Sequence, residues 1–197
     1  MKVTLLRVGR SLASALLYSS PCLALVGSAF AASGSPFVLI GDMPKTLTPA
    51  SLAAAQKTET KGQVSADGKT LTFGQKVVRL VAVTGLEDDM LSYRIVGKRN
   101  PTLIVPRGAT IKMLFVNTDD DMPHNIRFGT ALKTYPNVMT SYVKTSVGTP
   151  DLPHKSATAL HGEELTLHAP AAPGGYVYFC TVRGHAQGGM VGKVVVR

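Results

Sequence analysis

One segment near the C-terminus constrains the fold more than any other part of the sequence. Residues 176–180, Tyr-Val-Tyr-Phe-Cys, have the aromatic and β-branched composition of a strand, and residues 191–196 have that of a second strand. Between them lies a glycine-rich loop in which Cys180, His185 and Met190 follow a Cys-x4-His-x4-Met spacing. One strand, its loop and the returning strand therefore present a thiol, an imidazole and a thioether together.

These three side chains are soft or borderline donors, which suit copper, and two histidines with one cysteine and a weak axial methionine are typical of an electron-transfer copper site. His124, which follows a predicted strand and a turn, is the best candidate for the second histidine. We therefore expect one copper ion, cycling between Cu(I) and Cu(II), held by His124, Cys180, His185 and Met190. Asn125 is expected to hydrogen-bond near the backbone of Cys180, tying the two ligand segments together.

Short strands separated by glycine and proline turns predict an all-β sandwich or barrel. Thr48-Pro49 predicts the start of a short helix, Asp67-Gly68 predicts a hairpin turn, and residues 129–162 read as a long irregular stretch with three prolines. The blurred alternation of residues 110–117 suits a strand that is covered on both faces. The predicted strands are 63–65, 70–73, 77–83, 92–96, 103–105, 110–117, 125–128, 164–168, 176–180 and 191–196.

Residues 46–197 resemble the cupredoxin family, and within it the rusticyanin group. The resemblance rests on the ligand loop, on the segments Asn100-Pro-Thr-Leu and Pro106-x-Gly-Ala-Thr, and on the closing strand that begins Gly188-Gly-Met-Val-Gly-Lys. It implies a Greek-key β-sandwich with a short N-terminal helical extension, type 1 copper, and one-electron transfer in the periplasm. Asn125 departs from the rusticyanins, which have serine there, so a very high potential and acid tolerance are not carried over.

The N-terminus predicts export. Residues 1–31 have the basic start, apolar centre and Ala-Phe-Ala end of a secretory signal peptide. We expect a flexible arm over residues 32–45 and a single cupredoxin domain over residues 46–197. Cleavage after Ala31 removes Cys22 and leaves Cys180 alone, so no internal disulfide is expected.

Charge and composition limit the classes of partner that this protein could have. The formal net charge is +9, but the basic residues are scattered and form no dense stripe, which argues against nucleic-acid binding. The charge suits either solubility or docking to an acidic redox partner. The expected partners are redox proteins such as a cytochrome or an oxidase, and we expect no stable membrane insertion of the periplasmic protein.

Copper enzymes are the main competing interpretation, and no catalytic residues are expected. Multicopper oxidases place histidines on both sides of their cysteine, whereas Phe179 and Thr181 flank Cys180. A binuclear oxidase-subunit site needs a second cysteine where Gly184 stands. Copper storage or delivery remains the alternative function, although exposed Met-rich or His-rich tracts are missing from the sequence. A cupredoxin fold that has lost its metal and serves as an interaction module conflicts with the intact ligand set.

The sequence contains two further sets of potential ligands. Met122 and Met139 compete with Met190 as thioether donors, but neither lies in the loop. His154, His161 and His168 recur at seven-residue intervals, which suggests a second metal site only weakly.

Overall fold

The computed structural model describes residues 35–197, and the predicted signal peptide lies outside these residues. Within this part of the chain, thirteen strands and two short helices follow one another. Their bounds are β1 (Val38–Leu47), α1 (Pro49–Gln56), β2 (Gln63–Val64), β3 (Thr70–Thr72), β4 (Val77–Leu86), β5 (Asp89–Ile95), β6 (Lys98–Arg99), β7 (Thr102–Val105), β8 (Thr110–Asn117), β9 (Arg127–Thr130), α2 (Thr140–Val143), β10 (Val147–Gly148), β11 (Leu160–His168), β12 (Gly174–Phe179) and β13 (Val191–Val196).

The strands form two sheets that share one apolar core. The first sheet has the strand order β1-β11-β8-β4-β5-β6, and the second has the order β10-β9-β12-β13-β7-β3-β2. Most neighbouring strands are antiparallel, while β4 with β8, β7 with β13 and β3 with β7 are parallel. Phe115 and Leu165 from the first sheet belong to the same buried cluster as Leu103 and Val194 from the second. The predicted all-β sandwich is therefore confirmed.

The predicted helix is present with the expected start. Thr48 caps α1, and Pro49 occupies the first helical position. The Thr48 side chain accepts a hydrogen bond from the Ser51 N–H, and the Ser51 hydroxyl oxygen accepts one from the Thr48 N–H, which satisfies two free donors of the helix start. Among residues 35–197, no helix is long and apolar enough to cross a membrane.

The short helix explains why β8 lacks a clean alternation of polar and apolar residues. Leu52 and Ala55 of α1 pack on the outer face of the first sheet, against a cluster that includes Val83, Leu114 and Val116. The other face of β8 lies in the central core. Residues on both faces of β8 are therefore buried, as expected for a strand that is covered on both sides.

The flexible arm expected over residues 32–45 is wrong from residue 38 onward. Residues 38–47 form β1, an edge strand that pairs antiparallel with β11 along most of its length. Phe37 is buried in the core, and Leu39 packs against it. This strand forms through backbone hydrogen bonds to β11, and such bonds depend little on the pattern of side chains. Its Gly and Pro residues are typical of a loop, which is why the prediction was wrong. The expected boundary at residue 46 lies inside β1, and the folded unit begins earlier.

The stretch expected to be irregular over residues 129–162 contains more regular structure than predicted. It includes α2 and β10, and the ends of β9 and β11 extend into it. Arg127 of β9 fixes this segment because its guanidinium donates to the carbonyl oxygens of Val143, Ser146 and Thr149. The Arg127 side chain thus satisfies backbone carbonyl groups that a longer pair of strands would otherwise satisfy.

Gly192 provides the space that a core tyrosine occupies. It pairs with Tyr178 across β12 and β13, and a Cβ atom at residue 192 would overlap the Tyr178 ring. That ring is fully buried, and its hydroxyl donates to the Pro101 carbonyl oxygen over 2.7 Å.

We expect Gly192→Ala to lower the free energy of unfolding by about 1–3 kcal/mol, because the rigid ring must shift within a packed core. Denaturant unfolding measures this loss. Gly175→Ala is the matched control, since nothing lies within 4 Å of a Cβ atom at that position. Equal stability of the two variants would contradict the packing argument.

Glu163 is a carboxyl group on the core-facing side of β11. It is 3% exposed and shares its face with Leu165. Asp42 of β1 lies opposite Leu165, which places it diagonal to Glu163 on the same face. Burial raises the pKa of Glu163 to about 7, and the charge of Asp42 and a hydrogen bond with it act in the same direction.

The raised pKa predicts how stability depends on pH. Below pH 4.5 Glu163 is protonated in both states, whereas between pH 4.5 and 7 the unfolded chain loses this proton while the folded protein keeps it. The free energy of unfolding should therefore fall as pH rises through this window, by up to about 3 kcal/mol from this group. Glu163→Gln should remove that part of the slope in denaturant titrations. Glu164→Gln, which changes an exposed neighbour, should retain it, and identical slopes would contradict the prediction.

Candidate metal centre

The four predicted ligands lie at one end of the sandwich. His124 lies between β8 and β9, Cys180 directly follows β12, and His185 and Met190 lie in the loop that leads into β13. The backbone of His124 is held by a two-way bridge with Leu152, through hydrogen bonds of 3.1 and 2.8 Å. Two segments about sixty residues apart in sequence thus meet at the same edge of the core.

Three of the four side chains converge on a common point. The donor atoms of His124, Cys180 and His185 all lie within 4.8 Å of one another. The two Nδ1 atoms are 3.2 Å apart, and the Cys180 Sγ is 3.5 Å from the His185 Nδ1. Metal bonds of about 2.0–2.3 Å to such ligands separate donors in a trigonal plane by roughly 3.5 Å. The spacing therefore fits a single ion bound by two nitrogens and one sulfur.

The fourth predicted ligand, Met190, is held at the end of the same loop. It is fully buried and belongs to the same apolar cluster as Cys180, whereas Met139 belongs to a separate cluster. The backbone of Met190 closes the loop, because its N–H donates to the His185 carbonyl oxygen and its carbonyl oxygen accepts from the Cys180 N–H. These bonds bring the backbone of residue 190 next to the backbones of Cys180 and His185.

Burial sets the protonation of the metal-free site. It lowers the pKa of His185 to about 4, with His124 acting in the same direction, and it lowers the pKa of His124 against the opposing effect of Asp119. Burial also raises the pKa of Cys180 to about 11, although the backbone N–H groups of Asn125 and Val182 oppose the rise. The site at neutral pH thus contains two neutral imidazoles and a thiol, and the thiol must release its proton when a metal binds.

This donor set fits copper in particular. Imidazole suits several transition metals, and thiolate suits zinc and iron–sulfur clusters as well as copper. Two histidines and one cysteine together with a weakly bound methionine are typical of an electron-transfer copper site. Cys180, His124 and Met190 are fully buried, so water cannot readily complete the coordination. A dry site with two nitrogens, one sulfur and an adjacent thioether is the arrangement of type 1 copper.

Asn125 joins the two ligand segments as predicted. Its side-chain oxygen accepts a hydrogen bond from the Thr181 N–H over 2.9 Å, and its amide nitrogen donates to the Thr181 hydroxyl over 2.7 Å. The same amide nitrogen also reaches the Asp151 carboxylate. Asn125 is 1% exposed, so solvent does not compete with these bonds.

Further residues that hold the ligand loop were not identified from the sequence. The Asn137 carbonyl oxygen accepts from the Gly184 N–H over 2.9 Å, and the Asn100 side chain donates to the Gly189 carbonyl oxygen over 3.0 Å. Asn100 has a left-handed backbone (φ 40°). Its position before Pro101 was visible in the sequence, but its contact with a loop 89 residues away was not.

Two buried polar groups next to the ligands were also missed. Asp119 lies within hydrogen-bond distance of the His124 ring, although its segment read only as a turn. Tyr93 is fully buried on β5, and its hydroxyl donates to the Asn125 carbonyl oxygen over 2.7 Å. An aspartate five residues before a candidate ligand was the one sequence signal available for either group.

Among residues 35–197, the remaining histidines belong to no cluster of three or more potential metal ligands. His161 and His168 lie at opposite ends of β11, and seven residues of strand separate them by roughly 23 Å. Within residues 35–197, the group of His124, Cys180 and His185 is the only cluster of three or more such side chains close enough to share an ion.

Comparisons with known proteins agree with the geometry. The model of the plastocyanin/azurin family of copper-binding proteins matches residues 97–197, which include all four predicted ligands. Rusticyanin from Acidithiobacillus ferrooxidans is 35% identical over 134 residues, which are 67% of this chain and 84% of that protein. Rusticyanin from Acidithiobacillus ferridurans is 30% identical over 166 residues, which cover 83% of this chain and 87% of that protein.

Solved structures show the same relationship in three dimensions. A structure of rusticyanin from Thiobacillus ferrooxidans matches with a TM-score of 0.69 and 30% identity, covering 79% of this chain and 97% of that one. A structure of reduced rusticyanin matches with a TM-score of 0.68 and 29% identity, covering 79% of this chain and all of the other. The chain therefore belongs to the plastocyanin/azurin family of copper-binding proteins, as a rusticyanin-like cupredoxin with one type 1 copper ion.

Proposed function

We propose that this protein carries single electrons between redox partners, with its copper held by His124, Cys180, His185 and Met190. When bound, the ion supplies a one-electron couple between Cu(II) and Cu(I). The observation that carries the proposal is the convergence of three buried donor atoms within 4.8 Å of one another at one end of a rigid sandwich.

The surrounding hydrogen bonds suit this role because they hold the donors in place. Asn125 fixes the position of Thr181 against the His124 segment. Asn117, at the end of β8, is fully buried and donates to the carbonyl oxygens of Met122 and Pro153 over 3.0 Å. Donors that stay fixed reduce the rearrangement that accompanies a change of charge, and this favours rapid electron exchange.

His185 is the proposed point of electron entry and exit. It is 5% exposed, whereas His124, Cys180 and Met190 are each fully buried. Its neighbours in the loop include the exposed residues Arg183, Gln187 and Gly188. A partner that docks on this end of the sandwich would approach the His185 ring more closely than any other ligand.

The same burial argues against storage or delivery. A protein that hands copper to a partner needs ligands that the partner can reach and replace, and three of these four side chains are inaccessible. Copper enzymes are disfavoured because Phe179 and Thr181, not histidines, flank the cysteine.

The cellular setting is also part of the proposal. The signal-peptide pattern of residues 1–31 supports export to the periplasm, and a redox protein such as a cytochrome or an oxidase would be the partner there. The scattered positive charge is compatible with a transient encounter with an acidic surface.

Copper addition tests the site. Purified protein should bind one Cu(II) per chain and turn blue, with strong absorption at about 600 nm from thiolate-to-copper charge transfer. Cys180→Ser should abolish this band, because a hydroxyl oxygen cannot replace the thiolate. A colourless wild-type protein after copper addition would overturn the assignment.

A second measurement separates an electron carrier from a copper donor. The blue Cu(II) protein should lose its colour with a small one-electron reductant and regain it with a small one-electron oxidant, through repeated cycles, while its copper stays bound in the presence of a competing chelator. Rapid loss of copper to the chelator, with slow electron transfer, would favour delivery instead.

Replacing Met190, which would supply the thioether ligand, should tune the site without destroying it. Met190→Leu should keep the blue colour and raise the reduction potential, because losing a weak donor destabilises Cu(II) more than Cu(I). Met139→Leu is the matched control, since Met139 is equally buried but packs with Val177 and Phe179. Voltammetry of both variants measures the shift, and an equal potential for the two would argue against Met190 as a ligand.

A further inference from the structure

Asp119 is a buried carboxyl group in the turn that follows β8. It is 1% exposed, and its Oδ2 lies 2.9 Å from the Nε2 atom of His124. A buried aspartate is costly unless its oxygens are fully satisfied. Its position directly behind the ring of a proposed ligand suggests a function beyond the turn itself.

The second oxygen of this carboxyl is satisfied on the opposite side. The Asp119 Oδ1 accepts hydrogen bonds from the N–H groups of Asp121 and Met122, each over 3.0 Å. With two N–H donors on Oδ1, the proton shared by Asp119 and His124 can lie only on Oδ2 or on Nε2.

The position of Asp119 is fixed by its backbone. Its N–H donates to the Asn117 side-chain oxygen over 3.0 Å, and its carbonyl oxygen accepts from the Lys155 N–H over 2.8 Å. Gly85 of β4, with a left-handed backbone (φ 74°), packs so closely that a Cβ atom there would overlap Asp119. The carboxylate thus has little freedom to move away from His124.

We propose that Asp119 is a positioning residue for the copper site, which holds His124 as the Nε2–H tautomer and favours Cu(II) through its charge. An imidazole nitrogen is intrinsically more basic than a carboxylate oxygen, so the proton between the two groups lies on His124 Nε2 and Asp119 accepts the hydrogen bond. The lone pair of His124 then lies on Nδ1, the atom that is 3.2 Å from the His185 Nδ1. This inference rests on the proposed copper function.

Only a carboxylate can serve both sides at once. An asparagine at residue 119 has one acceptor and one donor, so it can satisfy either the Asp121 and Met122 N–H groups or the His124 Nε2–H, but not both. The alternative is a shift of the His124 proton to Nδ1, which would block the coordinating atom. Substitution by the closest isostere should therefore disturb the site.

The first experiment uses the metal-free protein. Nitrogen NMR of the histidine side chains at pH 7 should show His124 as the Nε2–H tautomer in the wild type. Asp119→Asn should lose this single tautomer, while Asp120→Asn should keep it. Asp120 is the matched control because it lies on the same turn with the same charge, but its side chain is 78% exposed. A wild-type His124 with its proton on Nδ1 would overturn the proposal, even if no variant folds.

The second experiment measures copper directly. Asp119→Asn should weaken Cu(II) binding by about 10–100-fold, as is typical when a group that hydrogen-bonds to a metal ligand is lost. Each tenfold loss that Cu(I) does not share should raise the reduction potential by about 59 mV. Asp120→Asn should change both quantities much less. Equal affinities and potentials for the two variants would overturn the proposal and show Asp119 to be only a turn residue.

The two experiments fail in different ways. If the wild type binds no copper, the electron-carrier proposal fails, but the tautomer of His124 in the metal-free protein still tests Asp119. If the wild type turns blue while Asp119→Asn matches the control in every measurement, only the inference about Asp119 fails.

Discussion

Two hydrogen bonds between Asn125 and Thr181 connect the parts of the chain on which the metal centre depends. One part is the segment that carries His124, and the other is the loop that carries Cys180, His185 and Met190. The ladder between β9 and β12, in which Arg127 pairs with Phe179, already brings these parts side by side. The buried link then joins them beyond the ends of the two strands. Because the link is shielded from water, it keeps its strength and direction. The link and the ladder together hold the two ligand segments at the spacing observed.

Several polar groups around the site hold the backbone segments that carry the ligands. Asn117 fixes the start of the His124 segment, Asp119 lies behind the His124 ring, and Asn100 and Asn137 hold the ligand loop at its glycines. Most of these groups bond to backbone atoms. They therefore fix the backbone near the ligands, and this limits how far the ligand side chains can move. Burial then keeps the imidazoles neutral and the thiol protonated until a metal displaces its proton.

The sequence predicted secondary structure correctly where neighbouring residues alone determine it. The strands at 110–117 and 191–196 were predicted at their observed bounds, and the Thr48-Pro49 pair marked the start of α1. Such features depend on periodicity and on capping, which are written in adjacent residues. The strand at 38–47 was missed because an edge strand is made by pairing with a distant partner, here β11. Its own residues carry little sign of that partner.

The sequence by itself determined which donors are available and how three of them are spaced, because Cys180, His185 and Met190 share one loop between two adjacent strands. It also indicated His124 and the linking role of Asn125. Only the tertiary structure decided that His124 Nδ1 faces that loop, that Asp119 lies behind its ring, and that Glu163 is buried beside Asp42. These pairings join residues from different strands and turns, and their distances are set by sheet packing. No local pattern in the chain encodes such distances.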